Sequence, residues 1–87
     1  MQPILPFWFK QRQCTAEPAG SDNVLTVSAP NLGDAFIRIE QADNQRWRAA
    51  IRATADGPDL RATGPEFASP QRAWDVAFEL FRQSVIV

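Results

Sequence analysis

The stretch "RWRAAIRAT", residues 46–54, alternates between two kinds of side chain and decides which fold is predicted. Every second residue from Trp47 to Ala53 is apolar, and the positions between them are mainly arginine. A strand places successive side chains on opposite faces of a sheet. This stretch therefore predicts a strand with one face toward a core and an arginine face directed away from it.

The segments around this stretch predict further strands joined by short turns. The other β-prone runs are "NVLTVSAP" (23–30), "AFIRIEQ" (35–41) and "LRATG" (60–64). The turn-forming residues between the strands are "PNLGD" (30–34), "ADNQ" (42–45) and "ADGPD" (55–59). Connections this short suit hairpins and are too short for the crossovers of a parallel sheet. The pattern predicts an antiparallel meander of three to four strands.

The C-terminal segment predicts a helix. Ser69 suits the N-cap, and Pro70 suits the first helical position, where no N–H is needed. At 100° per residue, the polar side chains of residues 71–83 share one arc and the apolar ones face the other way. We therefore expect an α+β fold, with one C-terminal helix packed on one face of the sheet. Residues predicted to share its core are Ile37, Ile39, Trp47, Ile51, Leu60, Trp74, Phe78 and Phe81.

The first part of the chain has a different composition, so we predict an arm and linker over residues 1–22 and one small domain over residues 23–87. "PILPFWF" (3–9) is too apolar for a free tail, whereas residues 10–22 are polar and contain Pro and Gly. The aromatic residues either fold back onto the core or dock on a partner or a second copy of the chain. In the second case Phe7, Trp8 and Phe9 are binding residues.

The residue inventory argues against most chemistry. The 87 residues include no histidine, no tyrosine and one cysteine, which removes the commonest general base, metal ligand and activated nucleophile. We therefore expect a non-enzymatic protein without metal or cofactor. The lone cysteine favours a reducing compartment, and the absence of a long apolar run favours a cytoplasmic protein that does not bind a membrane.

The arginine face is the feature most specific to function. Its predicted members are Arg38, Arg46, Arg48, Arg52 and Arg61. One interpretation is a solvated face with cross-strand ion pairs to Glu40, Asp43 or Asp59. A second is a protein interface, where arginine is enriched. A third is a nucleic-acid interface, which the net charge of −1 disfavours.

Residues 36–81 also carry a family resemblance. The strand "W-x-A-x-I-R" beginning at Trp47, the step "F-x-S-P" beginning at Phe67, and Ala73 and Ala77 in the helix resemble the three-strand-plus-helix DNA-binding domains of plant ethylene-response type and of phage integrase arms. In those domains the sheet lies in the DNA major groove. The resemblance therefore implies that the DNA-facing residues are Arg46, Arg48, Arg52 and Arg61.

Taken together, these features favour a small bacterial or phage-type binding protein, of adaptor or inhibitor type. Its expected partner is another protein or a second copy of the chain, bound through the arginine face, the aromatic arm or both. Nucleic-acid binding through the arginine face is the alternative.

Overall fold

The computed structural model describes residues 3–30 and 33–86, and within them the chain forms five strands and two α-helices. In chain order they are α1 (Phe7–Gln11), β1 (Thr15–Pro18), β2 (Val24–Ala29), β3 (Gly33–Gln41), β4 (Trp47–Arg52), β5 (Asp59–Ala62) and α2 (Pro70–Phe81). A π-helical turn, Arg82–Ile86, continues α2. Residues 31 and 32, part of the predicted turn at 30–34, lie outside the described residues.

The strands form one antiparallel sheet in the order β1-β2-β3-β4-β5, so neighbours in sequence are neighbours in the sheet. The predicted α+β class, the antiparallel meander and the C-terminal helix are confirmed. The sheet has five strands where three to four were predicted. The additional strand is β1, which pairs with β2.

The two faces of the sheet follow from strand register. Ile37 lies opposite both Leu25 and Ile51, and Ile39 lies opposite Ala49, and all five of these side chains are buried. Residues directly opposite in an antiparallel pair share a face. The other face, which we call the open face, carries half-buried side chains between the buried positions. They include Thr26, Phe36, Arg38, Arg48 and Arg52.

The helix begins where the sequence predicts. The Ser69 hydroxyl accepts a hydrogen bond from the Arg72 N–H at 3.2 Å, and proline occupies the first turn. This satisfies one of the N–H groups that a helix start leaves without a partner inside the helix. α2 packs over β3 and β4. Its buried residues are Ala73, Trp74, Ala77, Phe78 and Phe81.

The N-terminal region is built into the core. Phe9 has no exposed surface, and its ring centroid lies 5.0 Å from that of Phe78 and 6.0 Å from that of Phe81. The segment predicted as a linker contains β1, so the predicted boundary at residue 23 falls between two paired strands. Two features join residues 9–18 to the rest of the fold. One is the burial of the large Phe9 ring, and the other is the pairing of the four residues of β1 with β2.

The register of β5 differs from the sequence prediction. Ala62 pairs with Ala50 on the open face, and Arg61 pairs with Ile51 on the helix side. The pairing shifts between Ile51 and Arg52, as at a β-bulge. A shift of one residue moves every side chain to the other face. Leu60 is consequently 56% exposed, and its predicted place in the core is wrong.

The other predicted core residues behave as expected, with one partial exception. Trp47 is half-buried and packs against the edge of the core. It lies at the start of β4, where its backbone pairs with Phe67. The fully buried members of the prediction are Ile37, Ile39, Ile51, Trp74, Phe78 and Phe81.

Cys14 is buried in the core between α1 and β1. Burial raises the pKa of its thiol, and the nearby Arg12 charge offsets only part of this effect. Because the thiolate is the reactive form, we expect a thiol reagent such as DTNB to modify the native protein slowly near neutral pH. Modification should become fast once urea unfolds the chain. Equally fast reaction in both states would contradict the buried position.

Among the residues that the structure describes, no helix has the length and apolar character needed to cross a membrane.

Candidate functional site

A cluster of charged side chains lies on the open face where β3, β4 and β5 run side by side. We call it the arginine cluster, and its members are Arg38, Glu40, Arg48, Arg52 and Asp59. β3 supplies the first two, β4 the next two and β5 the last. Every second residue of a strand points to the same face. Arg38 and Glu40 therefore point the same way, as do Arg48 and Arg52.

Ion pairs connect the members of the arginine cluster. Asp59 accepts from both arginines of β4, with Oδ1 2.6 Å from Arg52 Nε and Oδ2 3.2 Å from Arg48 Nη2. Arg38 Nη2 donates to Glu40 Oε2 at 3.1 Å. These side chains are partly exposed, and such pairs stabilise a fold by only about 0–1 kcal/mol each. In this arrangement the three guanidinium groups are oriented toward the two carboxylates of the cluster.

Ala50 forms the floor of this cluster and is 2% exposed. Arg48 and Arg52 flank it along β4, while Arg38 and Ala62 lie opposite it on β3 and β5. A single methyl group between long side chains leaves a hole. The resulting cavity has a volume of about 80 Å³ and opens to solvent.

Two predicted members of the arginine face lie elsewhere. Arg61 is on the helix side of the sheet, where its Nη1 donates to Gln83 Oε1 at 2.8 Å. Arg46 precedes β4, and its Nη1 donates to the Glu66 carbonyl at 3.2 Å. The prediction of five arginines on one face is therefore wrong for Arg61, because of the β5 register, and Arg46 lies outside the arginine cluster.

The aromatic residues of α1 do not form one surface. Phe9 is fully buried and is a core residue in this fold, whereas Phe7 is 75% exposed. Trp8 is half-buried, with its ring edge-on to Phe9 and the Arg82 guanidinium carbon 5.9 Å from its ring centroid. The aromatic stretch folds back on α2, which is one of the two arrangements that the sequence allowed.

The end of α2 beside Trp8 carries its own ion pair. Arg82 donates to both carboxylate oxygens of Glu79, with Nη2 2.5 Å from Oε1. This hydrogen bonding is the main reason that the pKa of Glu79 falls below its ordinary value. The pair holds Arg82 over the indole ring, so this region is arranged for packing between α1 and α2.

The chemistry available at the arginine cluster is recognition of oxygen atoms. Guanidinium groups are planar, permanently charged donors and do not act as proton acceptors at neutral pH. Within residues 3–30 and 33–86, no group of three or more cysteine or carboxylate side chains is placed to hold a metal ion. The cluster can therefore orient and bind a partly negative group.

Sequence reasoning located the arginines of the cluster but missed its small residues. Ala50 lies at the base of the cavity, and the pairing of β4 with β5 places another small residue, Ala62, opposite it. The pattern Arg48-x-Ala50-x-Arg52 was a visible signal for half of this arrangement. The Asp59 bridge to two arginines depends on the shifted register and was not visible.

Comparisons with protein families, with curated proteins and with solved structures find no match to this chain. The resemblance of residues 36–81 to DNA-binding domains therefore stays a prediction.

Proposed function

We propose that this chain is a small non-enzymatic protein-binding module, of adaptor or inhibitor type, whose interface is the open face of the sheet. The observation that supports this proposal is the arginine cluster around Ala50, in which ion pairs hold three guanidinium groups beside a cavity. Arginine is enriched at protein interfaces because it combines apolar contact area with directed hydrogen bonds. Pre-arranged side chains also lose less conformational entropy on binding.

The charge balance favours a protein over a nucleic acid. In the arginine cluster, three guanidinium groups face two carboxylates, which leaves an excess of one positive charge. Elsewhere on the open face, the carboxylates of Glu17 and Asp34 add negative charge. Nucleic-acid interfaces instead gain most of their affinity from many cations that contact phosphates.

The proposed compartment is the cytoplasm, supported by the single unpaired cysteine.

An affinity capture with a matched pair of variants tests this proposal. The face variant carries Arg48→Glu and Arg52→Glu, and the control carries Arg12→Glu and Arg72→Glu. The control makes the same change in net charge at two exposed arginines outside the open face. We expect the wild-type chain and the control to retain the same protein from a nuclease-treated lysate of the source organism, and the face variant to lose at least about 90% of it.

Nucleic-acid binding is measured separately with a fluorescent DNA duplex and a single-stranded RNA. About four phosphate contacts would give a log–log salt slope near −3.6 on duplex DNA. We expect no binding with such a slope. Specific duplex binding that the face variant loses and the control keeps would contradict the proposal and favour the DNA-binding alternative.

A further inference from the structure

The cavity above Ala50 has the size and lining of a site for one small oxyanion. Its volume is about 80 Å³, compared with about 10–15 Å³ for a cavity that just holds one water molecule. Ala50 lies at its base and is 2% exposed, so the cavity is bounded mainly by the charged side chains around it. Arginine side chains stand on three sides of it, at Arg38, Arg48 and Arg52. A carboxylate group on a flexible side chain fits these dimensions.

The arginines retain donors for such a group. A guanidinium group carries five N–H donors. Among the described residues, Arg38, Arg48 and Arg52 each donate one side-chain hydrogen bond, and in each case the acceptor is a carboxylate of the cluster. Most of their N–H groups are therefore left to water or to a ligand. Bonds from a guanidinium to an anionic oxygen are about twice as strong as bonds between neutral groups.

The charge of the cluster selects the kind of oxyanion. The excess of one positive charge matches a ligand with one negative charge. A phosphate with two negative charges would instead leave a negative excess close to Asp59 and Glu40, and like charges at this distance repel. We propose that the cavity is a carboxylate subsite that receives an aspartate or glutamate side chain from an acidic segment of a partner protein. This inference rests on the proposed function of the open face and names the chemistry of the partner.

Asp59 sets the affinity of this subsite in two opposing ways. Its two oxygens orient Arg48 and Arg52, and its charge repels an incoming carboxylate. Asp59→Asn keeps an amide oxygen that can accept from Arg52 Nε, but it removes the negative charge. Because the lost repulsion acts over a few ångströms near the surface, we expect Asp59→Asn to tighten carboxylate binding about tenfold.

The experiment is a titration of the full-length chain followed by NMR, observing the backbone amides and the arginine Nε–Hε groups. The probe is a capped peptide of alternating glutamate and glycine, and its control is the same peptide with glutamine in place of glutamate. We expect the glutamate peptide to shift the Nε–Hε signals of Arg38, Arg48 and Arg52, with a Kd of about 1 mM or tighter. The glutamine peptide should leave these signals unchanged.

Variants assign the response to the subsite. Arg48→Gln should weaken binding of the glutamate peptide at least about fivefold, because it removes one charge-assisted donor. Arg72→Gln, at an exposed arginine outside the cluster, should leave the Kd unchanged. An amide spectrum of each variant that retains the wild-type dispersion shows that the fold is intact. Tighter binding of the glutamate peptide by the Asp59→Asn variant supports the proposed repulsion between Asp59 and the incoming carboxylate.

Several outcomes would overturn the carboxylate assignment. These are unchanged Nε–Hε signals up to about 10 mM peptide, weaker binding by Asp59→Asn, or tighter binding of inorganic phosphate or an oligonucleotide at the same arginines. Self-association at NMR concentrations that Arg48→Gln abolishes would also overturn it, because a second copy would then cover the face. If the lysate capture depends on Arg48 and Arg52 but the peptide does not bind, the subsite fails and the protein-binding function stands.

Discussion

Phe9→Ala is expected to lower the free energy of unfolding by about 3–5 kcal/mol, the usual cost of deleting a buried aromatic side chain. Phe9 has no exposed surface, and its ring contacts Phe78 edge-on at a centroid distance of 5.0 Å. The substitution therefore removes apolar burial, leaves a cavity and breaks an aromatic pair. Small domains are stable by only about 5–15 kcal/mol, so this loss is a large part of the total. Urea denaturation measures it.

Phe7→Ala is the matched control, because it makes the same chemical change two residues earlier in the same helix. Phe7 is 75% exposed, and we expect its replacement to alter the free energy of unfolding by no more than about 0.5 kcal/mol. A loss of less than about 1 kcal/mol for Phe9→Ala would mean that α1 is not part of the core. The aromatic stretch would then be an arm, as one interpretation of the sequence held.

The sequence could not distinguish these arrangements for physical reasons. α1 has only five residues, fewer than the two turns over which a helical apolar pattern becomes visible. β1 has four residues, TAEP, and includes a proline, so it lacks the composition of a typical strand. Both elements form because Phe9 and Cys14 have a core to pack against, which is a tertiary effect.

The central strands were predictable because their alternation is regular. Ile37 and Ile51 lie directly opposite each other, and neither has exposed surface. A slip of one residue between β3 and β4 would place Ile37 and Ile51 on opposite faces of the sheet and expose one of them, so the burial pattern fixes this register. The face of α2 that packs on the sheet was also predictable. Its N-cap residue and its regularly spaced apolar residues indicate the same helix.

For β5, at the edge of the sheet, the alternation of side chains predicted the wrong register. The run from Leu60 to Ala62 contains one apolar residue of full size, so either register was compatible with its pattern. The fold places Arg61 toward the helix side, where its long side chain reaches Gln83, and leaves Leu60 exposed. The turn and the bulge at Ile51 and Arg52 set this register, and neither has a signature in the alternation.

The candidate site was predictable to the extent that it lies on regular strands. Arg38, Arg48 and Arg52 share the predicted face, and the expected cross-strand ion pairs to Asp59 are present. Glu40 instead pairs with Arg38 of its own strand. What remained hidden was the cavity, because it depends on which side chains of β5 lie beside β4 on the open face. The sequence shows which charged side chains share a face of the sheet. How far apart they lie on neighbouring strands depends on how those strands pair.

Phe81→Ala is the second large effect, with an expected loss of about 3–5 kcal/mol in the free energy of unfolding. Phe81 is the last residue of α2 and has no exposed surface, so the cavity would open at the point where the helix meets α1. The measurement is again urea denaturation, with circular dichroism of the folded baseline to show that α2 remains helical. A loss below about 1 kcal/mol would mean that the phase of α2 is wrongly assigned.

A double-mutant cycle joins the two predictions and tests whether α1 and α2 belong to one cooperative unit. The ring centroids of Phe9 and Phe81 are 6.0 Å apart, close enough for the two substitutions to interact. Phe9→Leu and Phe81→Leu keep most of the apolar volume, so the double variant should still fold. We expect a coupling free energy of about 0.5–1.5 kcal/mol, the range for aromatic pairs. Strict additivity would mean that the rings do not share a cavity, and the N-terminal helix would then contribute to stability independently of the end of α2.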